Sequence, residues 1–150
     1  MANLNQPGTM ERTIAITEIE STLNRYCIMA RENAPFSEMA AQLFVPKKGV
    51  FKLPNGEAVA PADMGTVVRG KPPTFIRHHL TSVDIEFTGV ATAKTKSYFF
   101  AVTGPSGIDH SGYWEDEFES SADGRWLIAS RQIVVEMQAT GGWFATAYEE

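Results

Sequence analysis

The stretch Thr74-Phe75-Ile76-Arg77-His78-His79-Leu80-Thr81-Ser82-Val83-Asp84-Ile85-Glu86-Phe87-Thr88 carries two of the chain's three histidines immediately ahead of a strand pattern. From Val83 onward apolar and polar residues alternate, the period of a half-buried strand. Two titratable imidazoles thus enter a sheet side by side and point to opposite faces. Strict alternation places His79 with Val83, Ile85 and Phe87, and His78 with Leu80, Ser82 and Asp84. His78 reaches an apolar pocket only if the alternation slips at a bulge or if the polar face is the ligand face.

Downstream, residues 90–103 are rich in Thr, Val, Phe and Tyr and predict a long strand. Gly104-Pro105-Ser106-Gly107 predicts a turn, 110–119 a further strand, Ser120 to Gly124 a hairpin turn and 125–137 the last long strand. Gly141-Gly142 breaks the pattern before the apolar segment Trp143 to Tyr148. Upstream, Ile14, Ile16, Ile19, Leu23, Tyr26 and Cys27 recur mostly at helical spacing from about Thr13, and the helix should fade at Asn33-Ala34-Pro35. A short helix is predicted at 37–44, a short strand at 49–53, a turn at 54–57 and a helical start at Pro61. Residues 1–12 read as a flexible tail, 13–137 as one domain, and 138–150 as a C-terminal extension available for oligomer contact. Helices first and long strands afterwards give an α+β order, with helices gathered on one face of a mostly antiparallel sheet.

A chain of 150 residues suits one domain, and 43% hydrophobic with 21% charged residues is ordinary for a globular protein. No apolar run reaches about 18 residues and no signal-peptide pattern opens the chain, so a soluble, cytoplasmic protein with no membrane partner is expected. A net charge of -5 without a basic run argues against nucleic acid. Cys27 is the single cysteine, which excludes an internal disulfide and a cysteine zinc cluster; within an apolar helical pattern it reads as a buried structural thiol.

Arg25-Tyr26, Leu43-Phe44, Arg77-His78-His79-Leu80-Thr81-Ser82, Gly112-Tyr113-Trp114-Glu115-Asp116 and Asp123-Gly124-Arg125-Trp126-Leu127-Ile128 followed by Arg131 together resemble the SnoaL-like branch of the NTF2-like superfamily over residues 13–137. The resemblance implies a cone-shaped barrel, a curved, mostly antiparallel sheet packed on N-terminal helices around an apolar pocket, usually in a homodimer or homotrimer. In enzyme members such as scytalone dehydratase and hexachlorocyclohexane dehydrochlorinase, a histidine at the place of His78 pairs with an aspartate near the end of the first helix and removes a proton from carbon, with no metal or organic cofactor. The histidine signature is present. At the aspartate position this chain has Arg31, with Glu32 the nearest acid, about 100° further round a helix.

The reading that follows is a cofactor-independent lyase or isomerase acting on a small apolar organic molecule, with His78 as base and then acid. Tyr26 or Tyr113 would polarise an oxygen, and Glu32 or Asp116 would hold the imidazole. His110, two residues before the Gly-Tyr-Trp signature, is a candidate second acid or donor. Arg131 is costly to bury alone and is expected to pair with Asp116, Glu115 or Glu117. Two alternatives remain open: a non-catalytic binder of a hydrophobic ligand, and a small structural subunit of a ring-hydroxylating oxygenase with the Gly-Gly-Trp-Phe segment at an interface.

Overall fold

The computed structural model describes residues 3–104 and 107–148. The start of the expected tail, the Pro105-Ser106 tip of the predicted turn and the last two residues of the extension lie outside the described residues.

Helix α1 spans Met10–Arg31 and begins a few residues earlier than the apolar periodicity suggests. Thr9 explains the early start, because its side chain accepts a hydrogen bond from the Arg12 amide and so caps the first turn. The buried stripe is Ala15, Ile19, Thr22, Leu23, Tyr26 and Met29, whereas Ile14 remains 54% exposed. Ile19 and Leu23 are fully enclosed, and burial of each side chain is worth about 1.5–3 kcal/mol. Asn33 ends the helix at φ 56°, with Asn33 N–H donating to the Ala30 carbonyl and Ala34 N–H to that of Met29. This is the reciprocal pattern in which a left-handed residue satisfies the last carbonyls.

Helix α2, Phe36–Leu43, buries Met39 and Leu43. The strands are β1 (Val50–Lys52), β2 (Ala58–Val59), β3 (Arg77–Phe87), β4 (Thr92–Val102), β5 (Ile108–Ser120) and β6 (Trp126–Gln138). Pro61 opens a 3₁₀ helix, Pro61–Thr66, and helix α3, Phe144–Ala147, closes the described chain. β3 to β6 form an antiparallel meander, and β1 adds to β6 in parallel.

The strand order β2-β1-β6-β5-β4-β3 corrects the expected cone-shaped barrel. The sheet is mixed and open, neither closed nor strongly curled, with β2 and β3 at its two edges. Closure would require β3 to pair with β2. β2 offers only two residues, and Pro61, Pro72 and Pro73 interrupt the chain between them. α1 instead lies across the inner face against β3 and β6, and the Thr22 hydroxyl donates to the buried Trp126 carbonyl at 2.6 Å.

Three irregularities position the site. Pairing of β3 with β4 slips between Leu80 and Ser82, leaving Thr81 as an extra residue. Pairing of β4 with β5 passes from Ala101↔His110 to Val102↔Ile108, leaving Asp109 as the extra residue. Pairing of β5 with β6 shifts beside Gly112, where a Cβ would stand 2.0 Å from the Val134 carbonyl oxygen. Only glycine permits that approach.

Candidate active site

Between the inner face of the sheet and the helices lies a cavity of about 270 Å³, most of whose lining side chains are apolar or aromatic. The Thr81 bulge decides which histidine meets it. Leu80 and Val83 both face inward despite an odd spacing, because Thr81 absorbs one step of the alternation. His78 therefore lines the cavity, and His79 turns to the outer face, where its ring stacks on Phe100 at 4.7 Å.

His78 sits in an aromatic enclosure. Its ring centroid lies 5.3 Å from that of Trp114, 5.6 Å from Phe99, 6.2 Å from Tyr26 and 6.2 Å from His110. Its Nδ1 is buried and makes no hydrogen bond. Burial, reinforced by the neighbouring His110 and Arg131, pushes the imidazole down to about 3, so it is neutral at physiological pH.

The carboxylate paired with a cavity histidine is Asp109, and its histidine is His110. Consecutive strand residues ordinarily point apart, but the bulge turns both inward, leaving Asp109 2% and His110 3% exposed. Asp109 Oδ2 lies 2.8 Å from His110 Nδ1. The same carboxylate accepts from the Trp143 amide at 2.6 Å, the Phe144 amide at 3.1 Å and the Thr103 hydroxyl at 3.0 Å. Burial would raise the Asp109 carboxyl, but these hydrogen bonds outweigh it and hold the group below the usual carboxylate range. Burial lowers His110, and Asp109 opposes that shift. Gly142 admits the carboxylate, since a Cβ there would stand 2.7 Å from Asp109 Oδ1.

The remaining sequence candidates separate. Tyr26 is buried on the cavity wall, edge-on to Trp114 at 5.2 Å, and burial raises its hydroxyl against the pull of Arg131. Glu32 is the C-cap of α1 and is exposed; Arg31, also exposed, places its guanidinium over Phe75 at 4.6 Å. Neither lines the cavity. Tyr113 lies on the outer face beside Tyr98, with the Lys96 ammonium over its ring at 4.0 Å. Asp116 is fully buried with both oxygens engaged by Arg131, at 2.8 Å each. The Arg131 guanidinium is held between Trp114 (3.9 Å) and Tyr26 (4.2 Å), so this pair forms a sealed layer beneath the cavity.

Sequence reasoning missed Asp109, Trp143 and Phe144, all of which join this site. Asp109 was concealed by the alternation rule. The glycines at 141 and 142 mark the sharp return of the chain, but not its destination.

The architecture and cavity define an α+β protein in which a sheet and helices enclose a small-molecule-sized pocket. The chain belongs to the SnoaL-like domain family, whose model matches residues 11–132. Among solved structures it is similar to a provisionally named scytalone dehydratase from Novosphingobium aromaticivorans (22% identity, 86% of this chain and 89% of that one covered, TM-score 0.67). It is also similar to the hexachlorocyclohexane dehydrochlorinase LinA-type3 from Novosphingobium barchaimii (11%, 87% and 92%, TM-score 0.73). A third likeness is to the provisionally named β subunit of an aromatic-ring-hydroxylating dioxygenase from N. aromaticivorans (17%, 91% and 98%, TM-score 0.69). At these identities the likeness is one of fold. No curated protein showed significant similarity to the chain. Among the described residues, no helix is long and apolar enough to cross a membrane, and no group of three or more His, Cys, Asp or Glu could hold a metal ion.

Proposed function

We propose that the protein is a cofactor-independent lyase or isomerase that removes a proton from carbon in a small, largely apolar organic molecule. The observation that carries this reading is the His110–Asp109 pair at 2.8 Å on the wall of an aromatic-lined cavity. A carboxylate on Nδ1 holds the proton there, leaving Nε2 with a lone pair and stabilising the imidazolium that forms when it accepts a proton. The sequence-based scheme is thereby reassigned: His110 is the base and Asp109 its orienting partner, while His78 and Tyr26 line the same cavity.

In an elimination, His110 Nε2 takes the proton, the C–H electrons form the new double bond, and the leaving oxygen departs with the proton returned by His110. In an isomerisation, that proton returns to a different carbon. A single positioned base contributes about 10²–10⁴-fold, and exclusion of water strengthens the electrostatics of the rest. Relatives of the same fold named as dehydratase and dehydrochlorinase support this choice of chemistry.

The test is solvent-deuterium exchange into a panel of small neutral C–H acids, followed by mass spectrometry. Exchange that falls at least about 10²-fold in His110→Gln supports the reading. Exchange unaffected by that change would remove His110 from the mechanism. A second reading, a binder of hydrophobic ligands, is favoured by the apolar lining and by the lack of a carboxylate on His78. Ligand binding without exchange would select it. We further expect a homodimer or homotrimer, checked by sedimentation.

A further inference from the structure

The two cavity histidines are fixed by different neighbours. His110 presents Nδ1 to a buried carboxylate, an obligate acceptor, so the proton sits on Nδ1 and Nε2 is bare. His78 has no such partner: its Nδ1 is enclosed among Trp114, Phe99 and Tyr26 without a hydrogen bond. A proton on that nitrogen would be a buried, unsatisfied donor costing about 1–3 kcal/mol. On Nε2, the nitrogen left to the cavity, the same proton can be shared with whatever the cavity holds.

Building on the proposed acid–base reading, we infer that His78 and His110 are held in opposite tautomers, His78 offering the cavity an Nε2–H and His110 a bare Nε2. The ligand class follows: a neutral, ring-sized molecule bearing a carbonyl or hydroxyl oxygen near an acidic C–H. The ring centroids are 6.2 Å apart at an interplanar angle of 80° on the wall of one cavity, close enough for a single ring-sized ligand to meet both imidazoles. Anions are excluded for a physical reason. The buried guanidinium of Arg131 is already neutralised by Asp116, His78 is held neutral by burial, and burial also disfavours a charged His110, so the wall offers an anion no free cation. His78 is then a neutral electrophile that polarises the oxygen by hydrogen bonding and never surrenders its proton.

The experiment uses the full chain with ¹⁵N-labelled histidine. Long-range ¹H–¹⁵N correlation between about pH 5 and 8 reads each tautomer, with His78→Gln and His110→Gln assigning the signals. The expected result is Nδ1–H for His110 and Nε2–H for His78; an Nδ1–H on His78 overturns the inference. Binding of acetophenone, ethylbenzene and benzoate is measured by calorimetry on the same protein. Acetophenone should bind about tenfold more tightly than ethylbenzene, benzoate should not bind, and His78→Phe should abolish the preference for the ketone. Equal binding of ketone and hydrocarbon, or binding of benzoate, overturns the ligand class. Deuterium exchange at the acetophenone methyl group is scored separately. Its absence alongside the expected tautomers and preference refutes the lyase or isomerase reading and leaves this inference standing.

Discussion

Replacing Asp116 by Asn should cost the protein about 3–5 kcal/mol, although the change removes no volume. Arg131 is completely buried and both of its hydrogen bonds to Asp116 are charge-assisted at 2.8 Å. Each such bond contributes about 1.5–3 kcal/mol, and the amide leaves an uncompensated guanidinium between two aromatic rings. Against a total stability of about 5–15 kcal/mol for an ordinary domain, that loss is a large share. Equilibrium urea unfolding, followed by tryptophan fluorescence, should show a lower midpoint at unchanged slope. Asp116→Leu combined with Arg131→Met should recover most of the loss, because replacing both charges removes the desolvation penalty with them. Asp116→Asn costing less than about 1 kcal/mol, or a double variant as unstable as the single, would refute the view that the pair is a sealed structural unit.

Gly112→Ala should destabilise by at least about 3 kcal/mol or abolish folding, since its Cβ would overlap the Val134 carbonyl at 2.0 Å; circular dichroism melting checks it. His78 should impose a pH slope: its folded value, about 3, lies below the unfolded one, so the unfolded chain binds the extra proton between the two. Stability attributable to His78 is therefore fully present above about pH 6.5 and declines by about 1.4 kcal/mol per pH unit on acidification, and His78→Phe should remove that component of the urea-unfolding profile. Cys27, pushed up to about 11 by burial, should react with iodoacetamide at about pH 8 far more slowly than a free thiol, as read by intact mass.

The elements that were legible in the sequence are those whose signal is local and repetitive. The helical stripe around Ile19, Leu23 and Tyr26 emerges from periodicity and the long strands from alternation, strand-forming composition and the turns between them, while the cost of burying Arg131 alone implied an acidic partner, which proved to be Asp116. What periodicity cannot register is a single extra residue opposite a strand, because a bulge is a mismatch between two segments. Thr81 and Asp109 are both of this kind, and they decide which histidine faces the cavity and which carboxylate accompanies it. The open sheet was hidden for a related reason: alternation gives each strand two faces but says nothing of whether its edges meet. The resemblance directed attention to the end of α1 for the carboxylate, where Glu32 is exposed at the helix cap.

Placement of the acid at Asp109 changes what the site asks of the chain's end. The carboxylate that orients His110 is also the acceptor for the Trp143 and Phe144 amides, so the segment that walls the cavity and the imidazole that faces it share one anchor. An ionised carboxylate in so dry a place survives only because four donors converge on it. Each donor lowers its basicity, and only the imidazole can return the favour by becoming charged. In the proposed proton transfer, Asp109 would thus give His110 a stabilised cation while the rest of the wall stays neutral. That division would let an apolar cavity host the proposed acid–base chemistry without holding a free charge against its ligand.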